Sequence, residues 1–117
     1  MTNADQNTYL LHQAAILADQ FKPRAADFDR ARKLDQDASD AMAEAGFYRL
    51  FVPEHLGGLE ASPVVSAQIF ERLAQGSAAC GWVAFIAATS GSTLGSIPEE
   101  TARAIFSHPN TMVAGVF

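Results

Sequence analysis

Cysteine is almost absent from this 117-residue chain: Cys80 stands alone, so an intramolecular disulfide is impossible. A lone thiol suits a reducing compartment. The N-terminal sequence MTNADQNTYL also lacks the basic-then-apolar layout of a secretory signal peptide. We therefore predict a cytoplasmic protein.

Positive charge is scarce as well. Eight Lys and Arg residues stand against 13 Asp and Glu residues, which gives a net charge of −5. A nucleic-acid-binding protein needs a basic surface. Aspartates alternate with the few basic residues that lie close together, as is typical of a solvated helix face; these are Lys22, Arg24, Arg30, Arg32 and Lys33. The composition argues against nucleic acid as a partner.

Groups that carry out chemistry are few. His12, His55 and His108 are far apart and lack the spacing of metal ligands. No Ser–His–acid or Cys–His grouping is visible, and HLGGLEAS has adjacent glycines without the Gly-x-Gly-x-x-Gly pattern. We predict no metal site and no catalytic residue in residues 1–117, with Cys80 an inert core residue.

The longest stretch without a charged residue or histidine runs from Leu73 to Pro98. Its apolar centre, 78–88, is about half of the roughly 20 residues that a membrane span needs. We therefore predict a buried helix over 78–90 and no membrane. The chain as a whole is 49% hydrophobic and 18% charged, which suits one domain with a single core.

This uncharged helix has two possible uses. Alanine and glycine fill much of it, Trp82 and Phe85 supply bulk, and Thr89 and Ser90 supply hydroxyls near one end. Small residues let neighbouring backbones come close, which suits the centre of a helical bundle. An apolar wall with a few polar groups equally suits a ligand pocket.

Apolar periodicity and start and stop signals predict helices through most of the chain. They comprise a stripe at Leu10, Ala14, Leu17 and Phe21; a helix over 25–33 after a break at Pro23; a helix capped by Asp35 and ended by a left-handed Gly46; a helix started by Ser62 and Pro63; and a short helix over 98–106 with a capping box from Ser96 and Glu99. RLFVPEHLGGLEASP is predicted to be an extended loop. The fold class is therefore all-α.

The last seven residues, TMVAGVF, have the pattern of a fully buried strand. A lone strand cannot satisfy its own backbone hydrogen bonds, and every preceding element is predicted to be helical. We expect a helical domain over 1–110 and the start of a truncated β domain over 111–117, with the chain the front piece of a longer protein. A disordered or helix-packed tail is the alternative.

The ordered residues LDQDASDAMAEAGFYRLFVPEHLGGLEASPVV, from 34 to 65, resemble the N-terminal helical domain of the acyl-CoA dehydrogenase superfamily. In that family a helix ends in Ala/Glu-x-Gly and an aromatic residue or Leu, followed by an apolar run, Val-Pro-Glu, Gly-Gly and a new helix. This chain has Gly46-Phe47, Val52-Pro53-Glu54, Gly57-Gly58 and Ser62-Pro63 there, with Leu56 where many members have Tyr. FERLAQGSAACGWV is similar to the next two helices, so the resemblance covers nearly the whole chain.

The resemblance implies a flavoenzyme in three parts: this helical domain, a β domain and a C-terminal four-helix bundle. Its flavin, FAD or FMN, would lie mainly between the last two parts. The catalytic glutamate of the dehydrogenases belongs to the bundle, so residues 1–117 alone are expected to be inactive. Flavin contacts from this chain would come from Gly115, Val116 and Phe117, and the full-length protein would be a homo-oligomer.

The segment CGWVAFIAATSGS is similar to the Gly-Trp-Val helix of the flavin-dependent monooxygenase branch, which hydroxylates aromatic or steroid-derived rings. Several members of that branch have His where Ser90 stands here. The substrate implied is an acyl-CoA or an aromatic compound, and the pocket residues are Trp82, Phe85, Thr89 and Ser90. For Trp82 a large core anchor is the structural alternative.

A different class of function also fits the composition. The chain would then be a self-contained helical interaction or dimerisation module that uses its apolar surface for a partner and binds no flavin. The two hypotheses differ in whether the reading frame continues after Phe117.

Overall fold

The computed structural model describes residues 2–115, and this part of the chain is all-α, without a β-strand. It contains six α-helices: α1 (Asn3–Phe21), α2 (Ala25–Ala31), α3 (Gln36–Glu44), α4 (Pro63–Gly76), α5 (Ala78–Gly91) and α6 (Glu99–Ile105). Four short 3-10 helices lie between them, at Lys22–Arg24, Phe47–Arg49, Glu54–Leu56 and Ser92–Ser96. The predicted fold class is confirmed.

Helix α1 begins with a capping box. The Thr2 hydroxyl accepts the Asp5 backbone N–H at 3.1 Å, and the Asp5 carboxylate accepts the Thr2 backbone N–H at 3.2 Å. The Thr2 hydroxyl also donates to the Asp5 carboxylate at 2.7 Å, and this bond, together with the one from the Thr2 backbone N–H, lowers the pKa of Asp5. The predicted apolar stripe is confirmed, since Leu10, Ala14, Leu17 and Phe21 are all buried.

The turn from α2 into α3 depends on a charged cluster. Asp35 occupies the N-cap position of α3, but its side chain caps no backbone N–H. It pairs instead with Arg24 at 3.0 Å, and Asp37 pairs with the same guanidinium at 2.9 Å. Arg24 also lies over the Phe28 ring, 5.0 Å from its centroid. The predicted cap is therefore in the right place but has a different function.

Gly46 ends α3 as predicted, with φ of 90°, a region in which glycine avoids the strain that a side chain brings. A Cβ there would lie 2.7 Å from Leu59 Cδ1, so the flexible end of the Leu59 side chain would also have to move.

The segment after Gly46 is not the simple extended loop that the sequence predicts. It forms two 3-10 helices and then doubles back, so that Leu59 N–H bonds to the Arg49 carbonyl at 3.0 Å and Ala61 N–H to the Leu50 carbonyl at 2.7 Å. At Gly58 a Cβ would clash with the Val52 carbonyl. Gly58 is needed because the two arms of this loop lie in contact, and Gly57 because its φ is 87°, in the left-handed region.

Helix α4 lies between α1 and α5 and forms most of the core with them. Its start at Ser62 and Pro63 is confirmed, although Ser62 makes no side-chain cap. At Gly76 a Cβ would clash with the Ala18 carbonyl oxygen, so α4 and α1 meet there with their backbones in contact.

A smaller cluster lies under α6, built from Val52, Leu56, Leu94, Ala102 and Phe106. The predicted capping box at its start is wrong: Ser96 belongs to the preceding 3-10 helix and Pro98 takes the N-cap position. Glu99 instead pairs with Arg103 at 2.7 Å.

The predicted buried strand at 111–117 is wrong for residues 111–115, which have no regular secondary structure and are half-buried or exposed. Strands need ladder partners, and the described part of the chain offers none. Val116 and Phe117 lie outside the described residues. The division into a domain over 1–110 and the start of a β domain stays a prediction.

Candidate functional site

Helix α5 turns its smallest residues inward. Its buried positions are Cys80, Gly81, Ala84, Ala87, Ala88, Ser90 and Gly91. At Gly81 a Cβ would lie 2.9 Å from the Phe70 carbonyl oxygen of α4, and at Gly91 it would lie 3.0 Å from Val52 Cγ2. The predicted core helix is thus confirmed for this face, where close neighbours leave no room for larger side chains.

The outward face of α5 is apolar but open in this chain. Trp82 is 62% exposed and Phe85 is 39% exposed. A core anchor would be buried, so that interpretation of Trp82 is wrong. A bundle helix with an ordinary solvent face would carry charges at these positions. We call the residues Ala78, Trp82, Phe85 and Thr89 the outer face of α5.

Ring contacts hold Phe85 in place. The Phe85 ring meets the Phe70 ring edge-to-face at 5.6 Å and lies 5.6 Å from the tilted Trp82 ring. Phe70 in turn meets Phe51 edge-to-face at 6.4 Å. Four rings therefore form a continuous row from the loop after α3 across α4 to the outer face of α5, in geometries that aromatic pairs prefer.

A shallow concavity of about 410 Å³ lies between α4 and α5 beside this row. Its lining is almost wholly apolar and consists of Phe70, Ala74, Ala78, Gly81, Trp82 and Phe85, with Glu71 at the edge. The concavity is too open to enclose a ligand by itself, but it could form one wall of a pocket.

Two hydroxyls lie near the C-terminal end of α5, one on each side of the helix. Thr89 Oγ1 donates to the Phe85 carbonyl at 2.8 Å, which leaves its oxygen lone pairs available as acceptors. Ser90 is buried on the inward side. The structure thus brings Trp82, Phe85 and Thr89 onto one face and turns Ser90 away from it. Their function as pocket residues stays a prediction.

A second concavity, of about 340 Å³, lies on the other side of Trp82, between α2 and α5. Phe28, Leu34, Ala79 and Val83 form its apolar part, while Asp29, Arg32 and Lys33 form its edge. The sequence predicts Arg32 and Lys33 on a solvated helix face and does not predict that they lie beside Trp82. No sequence signal announces it, because Arg32 reaches the edge through a left-handed turn, at φ of 57°.

Buried polar groups near α5 are held in their neutral forms. Burial raises the pKa of the Cys80 thiol, and it also raises the pKa of the Tyr48 phenol, whose oxygen lies 2.9 Å from Ser39 Oγ. Within residues 2–115 no group of three or more His, Cys, Asp or Glu side chains could hold a metal ion.

By length and composition alone, the 19 residues Ala78–Ser96 could cross a membrane. Core helices meet the same criterion, and the inward face of α5 packs in the core. The prediction that the protein has no membrane partner stays a prediction.

This chain forms a small all-α domain. A Gly-Gly loop joins its third and fourth helices, and its fifth helix is apolar. The family described as acyl-CoA dehydrogenase, N-terminal domain, matches residues 3–105. The chain therefore belongs to the acyl-CoA dehydrogenase superfamily and carries its N-terminal helical domain, as the sequence motifs predict.

The curated relatives include several named as monooxygenases. Indole-3-acetate monooxygenase of Pseudomonas putida is 37% identical over 95 residues, which are 80% of this chain and 24% of the relative. The protein of the same name from Acinetobacter baumannii is 35% identical over 92 residues, 78% of this chain and 23% of the relative. The oxygenase subunit HsaA of a flavin-dependent monooxygenase from Rhodococcus jostii is 34% identical over 65 residues, 56% of this chain and 17% of the relative.

This chain spans about a quarter of the length of the first two relatives. No solved structure is significantly similar to it. The activities in the relatives' names belong to much longer proteins.

The described residues do not by themselves form a flavin site. Of the three residues predicted to contact flavin, Val116 and Phe117 lie outside the described part, and Gly115 is half-buried at its end. One backbone position cannot enclose an isoalloxazine ring.

Proposed function

We propose that this chain is the N-terminal helical part of a flavin-dependent oxidoreductase and that the outer face of α5 is a wall of its substrate pocket. The observation that carries the proposal is the exposed, uncharged aromatic face at Trp82 and Phe85, beside the apolar concavity of about 410 Å³. The flavin, FAD or FMN, would be held mainly by regions outside residues 2–115.

The proposed substrate is an aromatic compound rather than an acyl-CoA, and the reaction is hydroxylation by a monooxygenase. The names of the relatives support this choice. The rings on the outer face support it as well, since Trp82 offers an open ring and Phe85 is locked edge-to-face against Phe70. Aromatic pairs gain about 0.5–1.5 kcal/mol beyond the burial of their area, which favours a flat aromatic ligand.

Each residue has a binding function rather than a catalytic one. Trp82 and Phe85 would position the ring and exclude water from its face. The Thr89 oxygen, whose own hydrogen is committed to the Phe85 carbonyl at 2.8 Å, would accept a hydrogen bond from a substrate hydroxyl or ring N–H. Ser90 would support the pocket from behind. We further propose that the complete enzyme is a cytoplasmic homo-oligomer.

The test is expression of the gene to its stop codon, followed by purification. The proposal predicts a protein with flavin absorbance that hydroxylates an aromatic substrate when reduced flavin and oxygen are present. The polypeptide 1–117 alone is predicted to give no turnover with FAD or FMN. A reading frame that stops directly after Phe117, with no flavin bound, would overturn the proposal.

One observation favours a second candidate function, a helical dimerisation module. The outer face of α5 is open in the chain as described, and isolated apolar faces of this kind are typical of protein interfaces. This candidate predicts a concentration-dependent dimer of 1–117 in sedimentation that Trp82→Glu dissociates. A chain that stays monomeric at high concentration would exclude it.

A further inference from the structure

The concavity between α2 and α5 combines an apolar interior with a charged edge. Its interior is apolar: Phe28 is buried, and Leu34, Ala79 and Val83 are half-buried. Trp82 forms one wall. The volume of about 340 Å³ falls within the range for small-molecule sites and suits one aromatic ring with a short side chain.

The edge of the concavity is positively charged, although the chain as a whole carries −5. Arg32 and Lys33 stand there against the single carboxylate of Asp29. Among the ion pairs of residues 2–115, neither Arg32 nor Lys33 has a partner, whereas four other arginines do. The lining thus carries a net charge of about +1 on residues whose charges are not neutralised by pairing.

The backbone at this edge is unusual. Arg32 ends α2 in the left-handed region, with φ of 57° and ψ of 28°, where glycine or asparagine is the usual residue. Capping of α2 therefore does not account for an arginine at this position. A cation near a helix C-terminus is favourable in itself, but Arg30 in the last turn of α2 already provides one.

From these features we propose that the α2–α5 concavity binds a small aromatic carboxylate. The ring lies against Trp82, Val83 and Leu34, and the carboxylate lies between the guanidinium of Arg32 and the ammonium of Lys33. Arginine recognises a carboxylate with two parallel hydrogen bonds, which fixes its orientation. The proposal needs no flavin and no turnover, so it stands or fails separately from the proposed function.

The chain carries its own reporter, because Trp82 is its one tryptophan and lies in the wall of the site. The probes are 3-phenylpropanoate and its amide, which have nearly the same shape and differ in charge. Trp82 fluorescence and calorimetry on the 117-residue chain give the dissociation constants. We expect the carboxylate to bind at least fivefold more tightly than the amide at low salt, with the difference shrinking as salt rises.

Two variants locate the anion contact. Arg32→Asn with Lys33→Gln keeps a residue that tolerates the left-handed turn and removes both cations. Arg30→Gln removes one exposed cation from the same helix, at a position outside the concavity, and serves as the matched control. Thermal unfolding by circular dichroism confirms that each variant is folded.

The double variant is expected to lose the preference for the carboxylate, while its affinity for the amide changes less than twofold. Arg30→Gln is expected to retain the preference. Equal affinity of the unaltered chain for the acid and the amide would overturn the proposal. An equal loss of the preference for the carboxylate in the double variant and in Arg30→Gln would also overturn it.

Discussion

Glycine at position 76 is the residue on which the packing of α1 against α4 most depends. A side chain there would clash with the backbone carbonyl of Ala18, which a flexible neighbour could not relieve. Glycine at position 95 makes a useful contrast, because a Cβ there would meet Pro53 Cγ at an ordinary 3.7 Å.

Gly76→Ala is therefore expected to lower the free energy of unfolding by about 1–3 kcal/mol, the usual cost of overpacking. Gly95→Ala, the matched control, should change it by less than about 0.5 kcal/mol, as surface substitutions do. Urea denaturation monitored by circular dichroism measures both. Equal stabilities of the two variants would contradict the packing described for α1 and α4.

Also at the scale of single residues, Asp37 makes the stability of the fold depend on pH in the acid range. Its hydrogen bonds with Arg24 hold the pKa of this carboxyl below its ordinary value of 3.8. A lowered folded-state pKa contributes stability above the ordinary value, and that contribution is lost as the pH falls through the folded-state pKa.

Asp37→Asn should therefore melt at a lower temperature than the unaltered chain near neutral pH, and the difference should close as the pH falls below 3.8. Asp29→Asn is the control, because Asp29 forms no ion pair among residues 2–115. Thermal melts over a series of acid pH values check the prediction. A difference for Asp37→Asn that stays constant with pH would refute it.

At the scale of elements, local signals in the sequence predict the helices, and long-range contacts decide the rest. The apolar stripe of α1, the start of α4 at Pro63 and the left-handed Gly46 each depend on a few neighbouring residues, and all are confirmed. The loop after Gly46 depends on the hydrogen bond from the Leu59 N–H to the Arg49 carbonyl, ten positions apart, which no short-range pattern predicts.

In helix α5, at the candidate site, long-range contacts likewise decide what the local sequence does not. Its residues are uncharged all round, so the sequence contains no polar side that would mark the face turned outward. The close approach of α4 at Gly81 decides the orientation and leaves Trp82 exposed. The sequence places Trp82, Phe85 and Thr89 on one helix, but it predicts neither the exposure of Trp82 nor the position of Arg32.

Arg49 connects the loop after α3 to the end of α6. Its guanidinium donates to the carbonyls of Phe106 at 3.2 Å and His108 at 2.8 Å, and it lies 4.8 Å from the centre of the Phe106 ring. Partial burial lowers the pKa of this arginine without removing its charge. Arg49 thereby fixes the direction in which the chain leaves α6.

Arg49→Met should keep the apolar bulk and remove these hydrogen bonds, which lowers stability by about 1.5–3 kcal/mol for bonds from a charged group. The substitution should increase the rate of amide hydrogen exchange in α6 more than in α1. Arg30→Met, at an exposed position paired only with Asp27, is the control. Unchanged exchange in α6 would contradict the function assigned to Arg49.

For the whole molecule, the central claim is that an apolar face left open by this domain serves to bind a substrate. The domain buries the small residues of α5 and leaves its aromatic residues exposed. Burial of those rings would be favourable, by about 25 cal/mol per Å² of apolar surface removed from water. The proposed pocket wall would account for this arrangement, because a bound substrate would cover the exposed rings.

The measurement that tests this claim most directly is the KM of Trp82→Ala for an aromatic substrate, in the protein expressed to its stop codon. Val64→Ala, at an exposed apolar position in the first turn of α4, is the matched control. Loss of one aromatic contact of about 1 kcal/mol should raise KM roughly fivefold in Trp82→Ala and less than twofold in Val64→Ala. The same KM in both variants would contradict the account.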